Sequence, residues 1–382
     1  MLGYSRFLAK SLHSKGLIAL HSHNQMGGAV SYDLSKYRRH GVLTAVTHRQ
    51  PGVPGLHIPS TGYDGATSYN NIYSAGFAND SILLNPGFET AGAGDPDFWA
   101  NWTEGAGDGA LANEVVVIHE GVDACKMTSG LTSNTYIYQQ FAVVPGVRYR
   151  LRLWTQGDGA NAGRYRVYDQ TNTTDIRGLG STGVTAAAYE MITYEFTAPT
   201  GCVLVRLWLF CPNVNGGIAY FDACEVRRMD GFLGDEGTII VPAQVANAGV
   251  WTDATARSMV HIGVDANNYI DIGRTVANNT IGFDYVAGGT AETQATAALA
   301  NLDFATYGMT WSKSGDAVKY YIGGVASGAT DTGLGTWLGN LSNTGTVIGT
   351  QSTLLIDVWS GPIGPVPYWS AALSPDEMRY LG

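Results

Sequence analysis

Apolar and polar residues alternate with a period of two through much of the chain, the pattern of strands that bury one face. The alternation is strongest between Ile82 and Met229, in EVVVIHE (114–120), TYIYQQFAVV (135–144), RYRLRLWTQ (148–156), RYRVYDQ (164–170), EMITYEFTA (190–198), CVLVRLWLF (202–210) and IAYFDACEV (218–226). Seven or eight such strands are enough for a complete sandwich over residues 82–229. Shorter strand candidates precede it, GLIAL, HGVLTAV and YNNIYSA, separated by turns such as QPGVPG and STGYDGAT. More follow Phe232: GTIIVPAQV, SMVHIGVD, NYIDIGR, TIGFDYVA, FATYGMTWSK, AVKYYIGG and IGPVPYWSA. A helical turn is predicted at the end, where Ser374, Pro375 and Glu377 have the spacing of a capping box. Residues 1–15 place Arg6, Lys10 and Lys15 among Tyr4, Phe7, Leu8 and Leu12. That short amphipathic arm reads either as a docking segment or as an element packed on its own domain.

Composition agrees with an all-β chain. Fifty glycines in 382 residues and 14% charged residues, against about 25% in ordinary soluble proteins, favour short strands and tight turns over surface helices. The formal charge of −10 argues against nucleic acid as a partner, because phosphate binding needs clustered Lys and Arg. Neither a run of about 18 apolar residues nor a signal-peptide pattern is visible, so the expectation is no membrane span and no export signal. Cys202 and Cys211 bracket one apolar run; as a single strand at about 3.3 Å per residue it would hold them about 30 Å apart, beyond disulfide reach. Cys125 and Cys224 remain open to pairing, the other reading being buried free thiols of a reducing compartment.

The flanking segments look incomplete alone and complete when joined. GLIALHSHNQMGGAVSYDLSKYRRHGVLTAV with GYDGATSYNNI resembles the opening of laminin-G-like, concanavalin A-like lectin domains. GTIIVPAQV, MTWSKSGDAVKYYIGGV and WSGPIGPVPYWSAALSPDEMRYL resemble the remaining strands and closing helix of that family. The middle resembles the jelly-roll carbohydrate-binding modules found beside cellulases and xylanases: ILLNPGFE, YQQFAVVPGVRYRLRLW, YEFTAPTGCVLVRLWLF and IAYFDACEV occur in the family's order. The implied architecture is all-β, a concanavalin A-like β-sandwich (16–80 plus 232–382) with an inserted jelly-roll β-sandwich (82–229) in a surface loop.

The resemblances imply candidate sites. In the module family an opening Glu and a last-strand Asp help hold a structural calcium, here Glu89 and Asp222, which would need further oxygen ligands. Asp33 matches a calcium-serving turn of the lectin-type family, although Ser68 stands where an Asp is usual. Glycan binding by such sandwiches needs aromatic rings to stack on sugar faces. The module offers Trp99, Trp102, Tyr136, Tyr138, Trp154, Tyr165 and Tyr168, and the lectin-type segments offer Trp251, Trp337 and Trp359 in glycine-flanked contexts. Tyr136 and Tyr138, two apart, share a face that is either core or groove, while Trp154 and Trp208 sit in alternating apolar strands where core packing is the commoner fate. His21 and His23 share a strand face without a third metal ligand at a recognisable spacing.

Enzyme patterns are missing: no Glu-x-Asp-x-Glu strand, no Gly-x-Ser-x-Gly elbow and no His-Glu-x-x-His. The expected function is therefore non-enzymatic, a bacteriophage virion protein of capsid-decorating or tail type that displays carbohydrate-binding folds. Its partners would be other virion proteins, met through the arm and sandwich surfaces as symmetric copies, and cell-surface polysaccharide. The alternatives are a secreted bacterial carbohydrate-binding protein and a divergent glycosidase.

Overall fold

The computed structural model describes residues 17–22, 29–33, 41–53, 58–73, 75–94, 97–105, 107–296 and 302–381. The arm at residues 1–15 and His23 lie outside the described residues, as do the side chains of His21 and Asp33. The protein is all-β: antiparallel strands dominate, and Ala75–Ala78 and Pro375–Leu381 are the α-helices among the described residues. None of these helices is long and apolar enough to cross a membrane. The chain divides into two compact units, residues 1–80 with 230–382, and residues 81–229.

In the first unit the two chain segments are woven into common sheets. Leu17–Ser22 pairs with Val366–Trp369, Ile58–Asp64 with Ser360–Ile363, and Tyr69–Asn71 with Thr346–Ile348. One layer runs from Thr47–Val53 through Ile58–Asp64, Ser360–Ile363, Glu236–Ala243 and Ala305–Ser312 to Ala317–Ile322. The other runs from Gly41–Thr44 through Tyr69–Asn71, Thr346–Ile348, Arg257–Asp265, Asn268–Arg274 and Ile281–Ala287 to Thr290–Thr296. Alternate positions of both layers meet in one core that includes Val241, Ile262, Ile272, Phe283, Met309, Trp311 and Trp359. Gly349, at φ +88°, is required there, because a Cβ would lie 2.2 Å from the Tyr63 ring.

The closing helix forms as its capping box predicts. The Ser374 backbone N–H donates to Glu377 Oε2 (2.8 Å) and the Glu377 N–H reaches back to Ser374 Oγ (3.4 Å), satisfying two donors that a helix start leaves open. Such a cap contributes about 1 kcal/mol. Met378 and Leu381 then bury against Leu17, Ile240, Tyr321 and Trp369.

The second unit is a sandwich of two five-stranded sheets. One has the order Ala110–Glu114, Ala124–Thr128, Ile218–Arg228, Arg148–Gln156, Glu190–Thr197; the other Thr174–Ser181, Arg164–Asp169, Leu204–Phe210, Tyr136–Ala142, Thr103–Gly105. Their inner faces enclose Ile137, Leu151, Leu153, Val167, Leu207, Leu209 and Phe221. All four cysteines are buried free thiols, Cys125 paired with Cys224 no more than Cys202 with Cys211.

Residues 114–120 depart from the strand expected of them. EVVVIHE does not continue the ladder: the strand ends at Glu114, and Val115 and Val116 are exposed. The Glu114 carboxylate accepts the N–H groups of Val116 and Val117, and Asp222 accepts those of His119 and Glu120. Side-chain carboxylates thus replace the neighbouring strand as acceptors, overriding the β-branched run.

Candidate functional site

The outward face of the sheet built on Tyr136–Ala142 carries an aromatic and cationic surface. Its making follows from the alternation. On Leu204–Phe210, Val205, Leu207 and Leu209 point into the core, which sends Arg206, Trp208 and Phe210 the other way. On Arg164–Asp169, Tyr165 and Val167 are buried and Arg164, Arg166 and Tyr168 are half-buried. On Tyr136–Ala142, Ile137 and Phe141 fill the core, and buried Gln139 is satisfied by both backbone groups of Leu84, at 2.7 and 2.8 Å. That leaves Tyr136, Tyr138 and Gln140 outside.

Register assembles these positions into three cross-strand rows. Tyr136 stands beside Phe210 and Arg164, Tyr138 beside Trp208 and Arg166, and Gln140 beside Arg206 and Tyr168. Trp208 is the centre: its ring lies 5.0 Å from Tyr136, 4.4 Å from Tyr138 and 5.7 Å from Phe210, stacked on the last at 13°. The Arg206 guanidinium lies 4.2 Å from the Tyr138 ring centre and 5.1 Å from that of Trp208, and Arg166 lies 4.3 Å from Tyr168. At the edge, Gly105 opposes Tyr136; a Cβ there would come within 2.5 Å of the tyrosine ring, so bare backbone is what lets that ring lie flat over the strand.

Electrostatically the surface is one-sided. Asp175 pairs with Arg166 at 2.5 Å. Arg164 donates to the Cys211 carbonyl (3.0 Å) and to Asn134 Oδ1 (2.6 Å), neither of which carries charge. The Nε–H of Arg206 and the Nε1–H of Trp208 are buried without a hydrogen-bond partner. A half-buried plane of rings with unspent donors suits a ligand that offers flat apolar faces edged by acceptors.

The other aromatic candidates are placed differently. Trp99 (1% exposed) and Trp102 (5%) are core residues that clamp Phe88, at 5.5 and 5.2 Å between ring centres. Their Nε1–H groups donate inward, to Asn113 Oδ1 and to the Asn85 carbonyl. Trp251, Trp337 and Trp359 are likewise buried in the first unit's core, Trp337 packing on Phe232 and Tyr285. Glycine-flanked positions suggested loops open to solvent; instead the glycines make room for the rings, as Gly234 does, where a Cβ would lie 2.0 Å from Trp337. Tyr165 is buried too, under the Arg177 guanidinium at 3.5 Å. Trp154 and Trp208 depart from the expected core placement in the opposite sense, both lying half-buried on outward faces, Trp154 stacked on His119 at 3.7 Å.

The calcium candidates Glu89 and Asp222 do converge. Glu89, Glu120 and Asp222 surround Gly87, each within 4 Å of where its Cβ would be. Yet both Glu89 oxygens accept the Val122 N–H (3.1 Å), and Asp222 accepts the His119, Glu120 and Ala223 N–H groups, at 2.8, 3.2 and 2.7 Å. Both carboxylates thus already accept backbone N–H groups, and a calcium cage would need six to eight oxygens around the ion. Among the described residues no group of three or more His, Cys, Asp or Glu side chains is placed to hold a metal ion. Burial, and then the charge of Glu89, pushes the Asp222 carboxyl up to about 6; the Glu120 carboxyl is raised by burial and by Asp222, Glu225 and Glu89. In the first unit Ser68, standing where an Asp is usual, donates to the Ala45 carbonyl at 2.8 Å.

A polar row in the first unit was not singled out from the sequence. His261, Asp271 and Asp284 are cross-strand neighbours; His261 Nδ1 lies 3.0 Å from Asp271 Oδ2, which also accepts the Ser258 hydroxyl at 2.7 Å. The serine hydroxyl is thereby spent within the row.

No family model matches the sequence, and no curated protein matches it. Solved structures similar to part of the chain include the module TmCBM61 in complex with β-1,4-galactotriose, 18% identical over 39% of this chain and 98% of that one, with a TM-score of 0.31. The CBM22-1 xylan-binding domain from Paenibacillus barcinonensis Xyn10C is 12% identical over 40% and 96%, with a TM-score of 0.31. The enzymatically active domain of tailspike protein 4 of bacteriophage CBA120 is 14% identical over 39% of this chain and 21% of that one, again with a TM-score of 0.31. The chain is thus similar, at low identity, to carbohydrate-binding modules of β-sandwich fold, with a phage tailspike domain among the matches.

Proposed function

We propose that residues 81–229 form a glycan-binding module whose ligand lies across the outward face centred on Trp208. The observation that carries this reading is the cluster of Tyr136, Tyr138 and Trp208 on an outward sheet face, where aromatic rings of a monomeric sandwich would otherwise be covered by core. Rings in this setting bind the apolar faces of pyranose units, and the neighbouring Arg, Tyr and Gln groups hydrogen-bond sugar oxygens. The site acts by binding alone, without a catalytic step.

The protein as a whole then serves as a virion component of a bacteriophage, in capsid or tail, presenting this module to surface polysaccharide. Four buried, unbridged thiols and the low-charge, glycine-rich composition support assembly in a reducing cytoplasm. Mass spectrometry of purified particles is expected to find the chain at stoichiometric copy number; its absence would remove the virion role and leave the glycan site standing. For the site, a polysaccharide panel in affinity electrophoresis is expected to retard the full chain, and Trp208→Ala to weaken retardation at least tenfold, about 1.4 kcal/mol. Retardation unchanged in Trp208→Ala would sink the assignment.

A further inference from the structure

Resting on that glycan reading, we infer that the ligand is an anionic glycan, one whose repeating sugars carry a carboxylate or sulfate held by Arg206 with help from Arg164.

The first ground is the donor and acceptor balance of the face. None of the nine outward positions on the three central strands is Asp or Glu, while three are Arg; Asp175, on the adjoining strand Thr174–Ser181, neutralises one of these, Arg166. A neutral sugar presents hydroxyls, each both donor and acceptor, and a matching surface supplies acceptors as well as donors. Here guanidinium N–H groups predominate, and Gln140 supplies the one side-chain amide. A donor-rich face complements a ligand that only accepts, and carboxylate and sulfate oxygens do that with full charge.

The second ground is Arg206 itself. Its Nε–H is buried without a hydrogen-bond partner, and its guanidinium lies against the Tyr138 and Trp208 rings. Among the described residues no carboxylate pairs with it, although the chain carries 32 acidic residues against 22 basic ones. A partly desolvated cation without a counter-charge is costly unless something supplies that charge. The rings hold the guanidinium beside the stacking surface, where an acidic substituent on a stacked sugar would come within its reach. The third ground is contrast within the same unit: on the other sheet's outward face Arg148 and Arg150 share Glu195, and Arg152 and Arg227 share Glu225. On the aromatic face, Arg166 is paired with Asp175, while Arg164 and Arg206 show no such pair among the described residues.

The test is isothermal titration of the full chain with polygalacturonate, dextran sulfate, neutral galactan and neutral dextran, with fully methyl-esterified pectin as the masked counterpart of the first. Binding to one anionic polymer is expected, weakened several-fold between 50 and 500 mM salt, roughly Debye lengths of 14 and 4 Å. Arg206→Gln is expected to weaken it at least tenfold at unchanged melting temperature, with partial recovery in Arg206→Lys. Preference for polygalacturonate assigns a carboxylate and preference for dextran sulfate a sulfate. Equal affinity for galactan and for the anionic polymers, abolished by Trp208→Ala but untouched by Arg206→Gln, would overturn the anionic assignment and keep the glycan site. Binding insensitive to Trp208→Ala, or no binding to any polymer, would overturn both.

Discussion

The two outward faces of the inserted sandwich are built from the same residue types and use them differently. On the sheet of Arg148–Gln156, two glutamates each bridge two arginines at 2.7–3.3 Å, and Arg227 and Arg152 hold the Glu225 carboxyl below its usual range although burial acts the other way. On the sheet of Tyr136–Ala142 the arginines lie on aromatic rings, and Asp175 is the acid that meets one of them. Placing a Glu opposite an Arg takes one residue, and the first face does it repeatedly. A neutralised ladder makes a finished surface; rings and unspent donors make one that another molecule can complete.

The largest expected effect separates outward from buried tryptophan. Trp99→Ala removes a ring that is 1% exposed and clamps Phe88, and should destabilise the inserted unit by about 3–5 kcal/mol. Trp208→Ala removes a half-buried ring from the outward face and should cost about 1–2 kcal/mol. Denaturant unfolding of the full chain gives both numbers. Equal losses would mean that the Trp208 face is packed like core, and the contrast between the two faces would collapse.

That pair also shows what the sequence could convey. Alternation reveals which residues share a face but not which face is inside. YIYQQFA is ambiguous by itself, since Tyr136 and Tyr138 alternate with Ile137 and Gln139. The partner strand resolves it: Val205, Leu207 and Leu209 are uniformly aliphatic, whereas Arg206 interrupts the other set, and register ties Tyr138 to Trp208. The signal was present in Arg-x-Trp-x-Phe and is readable only once the two strands are paired. Trp99 and Trp102 were harder, because their burial depends on Asn85 and Phe88 holding φ of 50° and 63°, which folds the Asn-Pro-Gly-Phe turn beneath them. EVVVIHE misleads because β propensity is outvoted by two carboxylates, that of Glu114 within the segment and that of Asp222 more than a hundred residues away. The strands of the first unit, by contrast, were legible piecewise, and the pairing of Leu17–Ser22 with Val366–Trp369 was legible only through resemblance.

A smaller effect is expected from converting one kind of face into the other. Gln140 stands directly opposite Arg206, so Gln140→Glu would supply the carboxylate that the paired sheet uses everywhere. Stability should change by no more than about 1 kcal/mol, upward, since a partly exposed cross-strand pair is worth little. Binding of an anionic glycan should fall at least tenfold, because the added charge both repels the ligand and engages Arg206. If affinity were unaffected, Arg206 would be no part of the ligand's site.

The smallest effect concerns the end of the paired sheet, where pairing fails. The strand Ile218–Arg228 bulges at Ala223, at φ 42°, and carries Asp222 to a place shared with Glu89 and Glu120. Burial and mutual charge raise the Asp222 carboxyl to about 6 and raise that of Glu120 as well. A carboxyl whose pKa is higher folded than unfolded adds stability that is complete below the unfolded value, near 3.8 for Asp222, and lost as the pH rises through about 6. Glu120→Gln removes one of the repelling charges, so the melting temperature should rise by about 1–2 °C at pH 7.5 and change less at pH 4.5, as scanning calorimetry would record. The same scans with calcium or a chelator distinguish repulsion from a cation site. A calcium-induced rise in the unmodified chain that Glu120→Gln abolishes would show that the amide donors give way to an ion, and the paired sheet would then be neutralised to its end.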